Sequence, residues 1–459
     1  MTSSSGPGSL MHGVLPNSQA SPNPMPQLRP PRPLRTKIRA KSGTSEEHTW
    51  ARRPPPEDVY DSQFFPGHDL DKPVIEVNSG GTSPTTMDHT YKSPNIVDRD
   101  KALVRPKKSI HVVAEEHKKW LDRISTGDSS ADNSIGRKRS AKLWDSRVEE
   151  VDTSLQTKAN LGSQGGGPGR ILKWVRGELI AKGTYGRVYL ALDATTGEMF
   201  AVKQVEIPIA ASTSDRKVSR QMEFVQALKT EIETLKDLDH PHIVQYLGFE
   251  ETKTFLSIFL EYVPGGSIGR RLRDHGKFNE EVTKLLTGQI LEGLEYLHSK
   301  NIIHRDLKAD NILLEKAGIC KISDFGVSKR TDGTASHVMQ GTAFWMAPEA
   351  IHPQNKGYNA KIDIWSLGCV VLEMWSGKRP WSDDEAVTVM FKVYQNKQPP
   401  PIPSDVVLSD LAKDFKDRCF AMQVLSFAVF DPEERASTAE LQHHPYLEIP
   451  EGWVFNGFN

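Results

Sequence analysis

His304-Arg305-Asp306-Leu307-Lys308-Ala309-Asp310-Asn311, followed by Ser323-Asp324-Phe325-Gly326, is the stretch on which the reading turns. It gathers carboxylates, a carboxamide and a lysine on two loops close together in the chain. Carboxylate and carboxamide oxygens are hard ligands that suit Mg²⁺, and a triphosphate would supply the remaining oxygens. A further carboxylate beside them can accept the proton of an attacking hydroxyl. Each short phrase alone is noise, so the weight lies in what surrounds them.

Upstream, Ala181-Lys182-Gly183-Thr184-Tyr185-Gly186-Arg187-Val188 lies between two predicted strands and reads as a hairpin turn. Glycines there let backbone N–H groups approach a triphosphate, although most glycine hairpins are only hairpins. The next strand carries Phe200-Ala201-Val202-Lys203, and alternation puts Lys203 on the face of Ala201, under the hairpin. Glu231 has Leu228 and Leu235 as helical neighbours, and an acid on so apolar a face needs a cation. Lys203 is the candidate. Downstream stands Ala347-Pro348-Glu349.

Strands are expected at 175–181, 187–193 and 198–207. Helices are expected at 280–300, 362–376, 386–396 and 408–421, the second apolar nearly all round and therefore central. A small β-rich lobe precedes a larger helical one, and ligands favour the crevice between such units.

This ordered set resembles the eukaryotic protein kinases over roughly residues 172–448. The resemblance implies an α+β, two-lobed protein-kinase fold using ATP and Mg²⁺. Lys203 would hold the α- and β-phosphates and pair with Glu231; Asp306 would be the catalytic base and Lys308 would touch the transferring phosphate; Asn311 and Asp324 would bind the metal. Nucleotide contacts would come from Ile180, Ala181, Lys182, Gly183, Thr184, Tyr185, Gly186, Val188, Ala201, Lys203 and Leu313. Leu260 would be the gatekeeper, and Glu261 to Val263 would offer backbone groups to adenine. Glu349 would pair with Arg435. A lysine at 308 is the serine/threonine pattern within the family.

The phrases Gly341-Thr342-Ala343-Phe344-Trp345-Met346-Ala347-Pro348-Glu349 and Phe259-Leu260-Glu261-Tyr262-Val263-Pro264-Gly265-Gly266-Ser267 look like MAP kinase kinase kinases. Trp174-Val175-Arg176-Gly177-Glu178-Leu179-Ile180 and Trp453-Val454-Phe455 look like the fungal cell-wall-integrity branch. That resemblance implies a MAP kinase kinase as substrate. It also makes the chain read as a shortened product, because kinases of this branch usually have longer N-terminal regions. Arg305 beside the catalytic Asp implies activation by a phosphate on the segment holding Thr331, Thr334, Ser336 and Thr342, placed by an upstream kinase or by autophosphorylation. Thr342 also has a structural reading, as the threonine that contacts the catalytic loop. The rival to an enzyme is a catalytically silent kinase-fold scaffold that binds signalling partners.

Two departures stand out. Ala181 occupies the first glycine position of the hairpin motif. Gln423-Val424-Leu425-Ser426-Phe427-Ala428-Val429-Phe430 interrupts the run from Cys419-Phe420-Ala421-Met422 to Asp431-Pro432-Glu433-Glu434-Arg435. It reads first as a mispredicted splice junction and second as a real insertion, set in a loop where it would expose an apolar stretch or displace Arg435 from Glu349.

Residues 1–169 are poor in periodic apolar residues and are expected to be largely disordered, ending in a Gly-rich linker over 162–169. The expected boundaries are 1–169, a kinase domain at 170–448, and a tail at 449–459. Pro30-Pro31-Arg32-Pro33-Leu34-Arg35 fits an SH3 ligand or a plain solubilising tail. Ile110, Val113, His117, Trp120, Leu121 and Ile124 mark one short amphipathic helix that could dock a partner, dock the globular part, or have no role.

Composition removes other classes. The formal net charge is -1, which gives no footing for a nucleic-acid wrapper. Cys 3, with no C-x-x-C pair, excludes a disulfide framework and a cysteine-rich zinc site. No uncharged apolar run approaches the ~18 residues of a bilayer span. A soluble, cytoplasmic chain is expected.

Overall fold

The computed structural model describes residues 64–66, 68–76, 107–125, 147–150, 171–183, 186–208, helical positions 222, 225, 226, 228, 229 and 232, then 236–315, 317–324, 329–330, 342–351, 359–426 and 429–458. Thr184, Tyr185, Glu231, Phe325, Gly326, Thr331, Thr334, Ser336, the 30–35 motif and the 162–169 linker lie outside the described residues.

Two short strands, β1 (Pro73–Glu76) and β2 (Lys107–Ser109), pair antiparallel ahead of helix α1 (Ile110–Ser125). The main sheet has the strand order β3-β4-β5-β6-β8-β7. Its members are β3 (Arg147–Glu150), β4 (Ile171–Gly183), β5 (Gly186–Asp193), β6 (Met199–Glu206), β7 (Tyr246–Glu251) and β8 (Phe255–Glu261). Strands β4 and β5 form the expected hairpin, with Gly183 opposite Gly186. The parallel pairing of β3 with β4 takes the sheet upstream of the boundary expected at 170.

Alternation divides the sheet into two apolar faces. Trp174, Ala191, Phe200, Val202 and Phe259 share one cluster, in which Trp174, Phe200 and Phe259 meet edge to face. Val175, Ile180, Leu190, Leu192 and Ala201 lie in the other. Lys203, two residues past Ala201, falls on that second face, as the spacing predicts. Val225, Leu228 and Ile232 are buried in the cluster that continues into the helical part.

The helical part comprises α2 (Ile268–His275), α3 (Glu280–Ser299), α4 (Pro348–Ile351), α5 (Lys361–Ser376), α6 (Ala386–Asn396), α7 (Asp410–Phe420) and α8 (Thr438–Gln442). Ser267, Asn279, Ser409 and Ser437 cap α2, α3, α7 and α8 with side-chain oxygens, satisfying amides that the first turn leaves free. Helix α5 is buried from Ile362 to Trp375, as its all-round apolarity predicts. Cys320, Cys369 and Cys419 are all buried free thiols whose ionisation burial pushes up. Among the described residues, no helix is long and apolar enough to cross a membrane.

Two expectations change here. The 423–430 segment is a hairpin of β13 (Gln423–Ser426) on β14 (Val429–Asp431), numbered after the short strands β9 (Ile302–Ile303), β10 (Ile312–Leu314), β11 (Cys320–Ile322) and β12 (Lys329–Arg330). It does not displace Arg435. Arg435 Nη1 lies 2.5 Å from Glu349 Oε1 with both side chains buried, because Gln423 and Asp431 pair and close the inserted residues on themselves.

Candidate active site

The 304–311 loop, the catalytic loop of the kinase resemblance, is folded onto a buried acid. Asp363, on the first turn of α5, accepts N–H bonds from His304 (2.9 Å) and Arg305 (2.9 Å) and a ring N–H from His298 (2.9 Å). Burial alone would push this carboxyl up. The His298 bond and charge and the Arg305 amide outweigh that and hold it below its ordinary range. The anchored backbone turns back at Arg305, whose φ of 71° is unusual for a non-glycine residue.

That turn aims Asp306 at a compact polar cluster. Lys308 Nζ donates to Asp306 Oδ2 at 2.7 Å and to Thr342 Oγ1 at 3.0 Å, while Thr342 Oγ1 donates to Asp306 Oδ1 at 2.8 Å. Thr342 therefore contacts the catalytic loop, its structural reading. Asn311 Nδ2 donates to the Asp306 carbonyl (2.8 Å) and to its carboxylate (3.2 Å), so the amide oxygen of Asn311 is the atom left for a cation.

The two loops are laced together. Ser323 N and Oγ both donate to the Asn311 carbonyl, at 2.8 and 2.9 Å. His304 Nδ1 accepts from Asp306 N, so its Nε2–H donates to Ser323 O at 3.1 Å. Asp324 follows, with φ 62°, and its Oδ1 lies 2.5 Å from Lys203 Nζ. The Lys203 charge holds the Asp324 carboxyl below the ordinary range against the opposing effect of burial, so it is in the ionised form that metal binding would require. An ionised carboxylate and an amide oxygen on bonded loops are donors that Mg²⁺ accepts, given phosphate and water oxygens for the rest. The expected partner of Lys203, Glu231, lies outside the described residues.

Ile180 and Ala201 are buried in one apolar cluster against which Val188 and Leu260 pack, partly buried. Val263 is buried and Leu313 partly so. Ala181 pairs with Val188 across the hairpin and Lys182 with Arg187. Gly186 is required by packing: a Cβ there would sit 2.5 Å from Gln204 O. Gly265 likewise permits close approach, since a Cβ would lie 2.2 Å from Leu314 O, and the bonds Gly265 N to Leu314 O and Leu314 N to Gly266 O (2.8 Å each) tie this connection to β10. Of the backbone groups expected to face adenine, the Glu261 N–H has a partner within the chain. Glu261 N donates to Gln245 O at 2.9 Å, and its carboxylate accepts from Gln245 N and from Lys321 Nζ.

Sequence reasoning missed three groups. Asp363 and Glu373 are acids on an otherwise apolar helix, the same signal that singled out Glu231. Glu373 accepts Trp345 Nε1–H at 2.7 Å and Ala309 N at 3.4 Å, and burial, with the Asp310 charge, pushes its carboxyl up to about 8. Arg273 on α2 grips Asp310 of the catalytic loop at 2.9 and 3.4 Å, and Gly269 makes room, since a Cβ there would meet Asp310 Oδ1 at 2.5 Å. No sequence period joins α2 to that loop.

Comparison with known proteins agrees with this geometry. A family model described as protein kinase domain matches residues 174–447. "MAP kinase kinase kinase mkh1" of Schizosaccharomyces pombe is 44% identical over 422 residues, covering 89% of this chain and 35% of that protein. "Serine/threonine-protein kinase BCK1/SLK1/SSP31" of Saccharomyces cerevisiae is 43% identical over 433 residues, 88% of this chain and 28% of that one. "Mitogen-activated protein kinase kinase kinase A" of Dictyostelium discoideum is 44% identical over 279 residues, 60% of this chain and 28% of its own. The chain thus spans about a third of the length of the relatives it matches, or less.

Proposed function

Because the chain belongs to the family of protein kinase domains, we propose that it is an ATP- and Mg²⁺-dependent serine/threonine kinase acting as a MAP kinase kinase kinase. The observation that carries this is the joined cluster of Asp306, Lys308, Asn311 and Thr342, with Asp324 held against Lys203. When bound, Mg²⁺ on Asn311 and Asp324 would neutralise charge on the phosphates. The chain's own residues do the rest. Asp306 accepts the proton of the substrate hydroxyl at its carboxylate. Lys308, one step from that carboxylate, stabilises charge on the transferring group. Lys203 fixes the phosphates under the β4–β5 hairpin. The chemistry is positioning and charge stabilisation, with no covalent step on the protein.

The relatives' printed names support a MAP kinase kinase as the acceptor. A silent scaffold has no need of so complete a set. Phosphorylation within 331–342, binding of the 30–35 motif to an SH3 domain, and action in the cytoplasm belong to the same proposal. The test is radiolabelled ATP with candidate MAP kinase kinases, scored on serine and threonine. Transfer to one of them that D306N abolishes is expected; no transfer to any acceptor, with the segment phosphorylated, would sink the proposal.

A further inference from the structure

The face of the sheet that carries the nucleotide wall is finished by residues far upstream of the matched family model. Phe64, Phe65 and Leu70, with Ile110 and Ala114 of α1, are buried in one apolar cluster with Val175, Leu190, Leu192, Ile180 and Ala201. Val188, Met199, Leu260 and Tyr262 pack against that same cluster. Phe65 is 1% exposed and Ile110 0%, burial typical of a domain core. Backbone bonds tie the pieces to each other: His68 N donates to Phe65 O, and His111 N to Leu70 O.

Two glycines of the sheet receive this segment. A Cβ on Gly177 would lie 2.9 Å from Phe64 O and 3.1 Å from Phe65 Cε1. Gly177 has no positive φ, so backbone conformation does not call for glycine there. Gly197, in the β5–β6 turn, has φ 76° and a Cβ on it would lie 2.9 Å from Ala114 Cα and from Val113 O. An independent observation agrees. A match over 89% of this chain cannot be contained in 174–447, so the similarity to the S. pombe relative extends well upstream of Trp174.

We propose that the turn at Phe64–Leu70 and helix α1 are a built-in positioning element for the nucleotide site, setting Ile180 and Val188 through the shared apolar cluster. Phe65 and Ile110 touch no nucleotide; they act through the strand that carries Gly177 and, three residues on, Ile180. A tight fit on one side of a β-strand transmits, because a packed core has discrete arrangements and little compressibility. Losing the segment therefore loosens the wall over adenine while the loop that carries Asp306, Lys308 and Asn311 keeps its His304 and Arg305 anchors on Asp363. The inference rests on the reading of this cleft as an ATP site.

The experiment uses the full chain. In F65A, KM for ATP should rise on the order of fivefold while kcat changes less than about twofold, at a temperature where the variant is fully folded. F65L, which restores apolar volume, should recover most of the KM, and G177A should behave as F65A does. Linkage demands the reciprocal effect in the unaltered protein: Mg²⁺-ATP should slow hydrogen exchange of the α1 amides several-fold. That measurement needs no variant, so the idea stays testable if F65A does not fold. ATP that stabilises the chain but leaves α1 exchange untouched, with KM unchanged in G177A, would overturn the inference. ATP that fails to stabilise the chain at all would instead sink the nucleotide reading itself.

Discussion

Asp306 accepts three hydrogen bonds through its carboxylate, from Lys308 and Asn311 at one oxygen and from Thr342 at the other. An amide of the same shape keeps the first two at its oxygen, while its NH2 must donate to the Thr342 hydroxyl instead of accepting from it. What an amide cannot do is take a proton. D306N should therefore bind ATP with near-normal affinity yet lose about 10²–10⁴-fold in turnover, the usual worth of a positioned general base. Binding is read by thermal shift and turnover by phosphate transfer; near-normal turnover would remove Asp306 from its role. Glu373 gives a second prediction at this scale. Its carboxyl is pushed up to about 8 in the fold against 4.5 for the free side chain, so the folded state binds an extra proton between those values. Its stabilising contribution is present at low pH and is lost as pH rises through about 8. The melting temperature should fall on the order of 5 °C from pH 5 to pH 8 on this account, and E373Q should flatten the slope. Asp363, held below its ordinary range, acts in a separate window: its contribution fades as pH falls through the folded value, below the 3.8 of the free group. A wild-type curve flat across pH 5–8 would show that Glu373 stays ionised.

At the scale of elements, the inserted hairpin is self-contained. Gln423 and Asp431 are paired partners, so excising 423–430 brings Met422 to Asp431 across a gap the fold has already closed. Deleting these residues should leave kinase activity unchanged and stability equal or higher, as read by calorimetry and a transfer assay. A deletion variant less stable than its parent would show that β13 and β14 are integrated into the helical part. The elements also show what was legible in the sequence. Helix α6 (Ala386–Asn396) and the buried α5 followed directly from apolar period, and the hairpin and its neighbours from β-rich runs between turn signals. The residues gathered in the Asp306 cluster were legible because each proposed chemical role fixes a residue type at fixed spacing. The turn at Phe64, strand β3 and the Arg273–Asp310 contact were not. They are short pieces with no period of their own, and their order comes from partners that only the folded chain brings near. Asp363 and Glu373 were visible as acids in an apolar helix, but an overall apolar reading of α5 passed over them.

On the scale of the whole molecule, one guanidinium joins parts that the chain keeps far apart. Arg435 bonds Glu349 of α4 at 2.5 and 3.3 Å and the Lys361 carbonyl at 2.7 Å, and it lies over Trp365 of α5 at 5.2 Å. The pair is shielded from water, with side-chain exposures of 0% and 6%. Removing one partner leaves a buried charge uncompensated, which costs about 3–5 kcal/mol, whereas replacing both by apolar side chains of similar volume is often near neutral. R435A and E349A should each lose about that much of a domain's ~5–15 kcal/mol, while E349L/R435M should recover most of it. Activity should fall with stability in the single variants, because Glu349 ends the segment that begins at Thr342, whose hydroxyl sits on Asp306. Chemical denaturation of the three variants makes the comparison. Single losses below about 1 kcal/mol, the range of exposed ion pairs, would mean that the buried pair does not hold this segment to the helical core and that the packing of Trp365 and Trp345 does so alone.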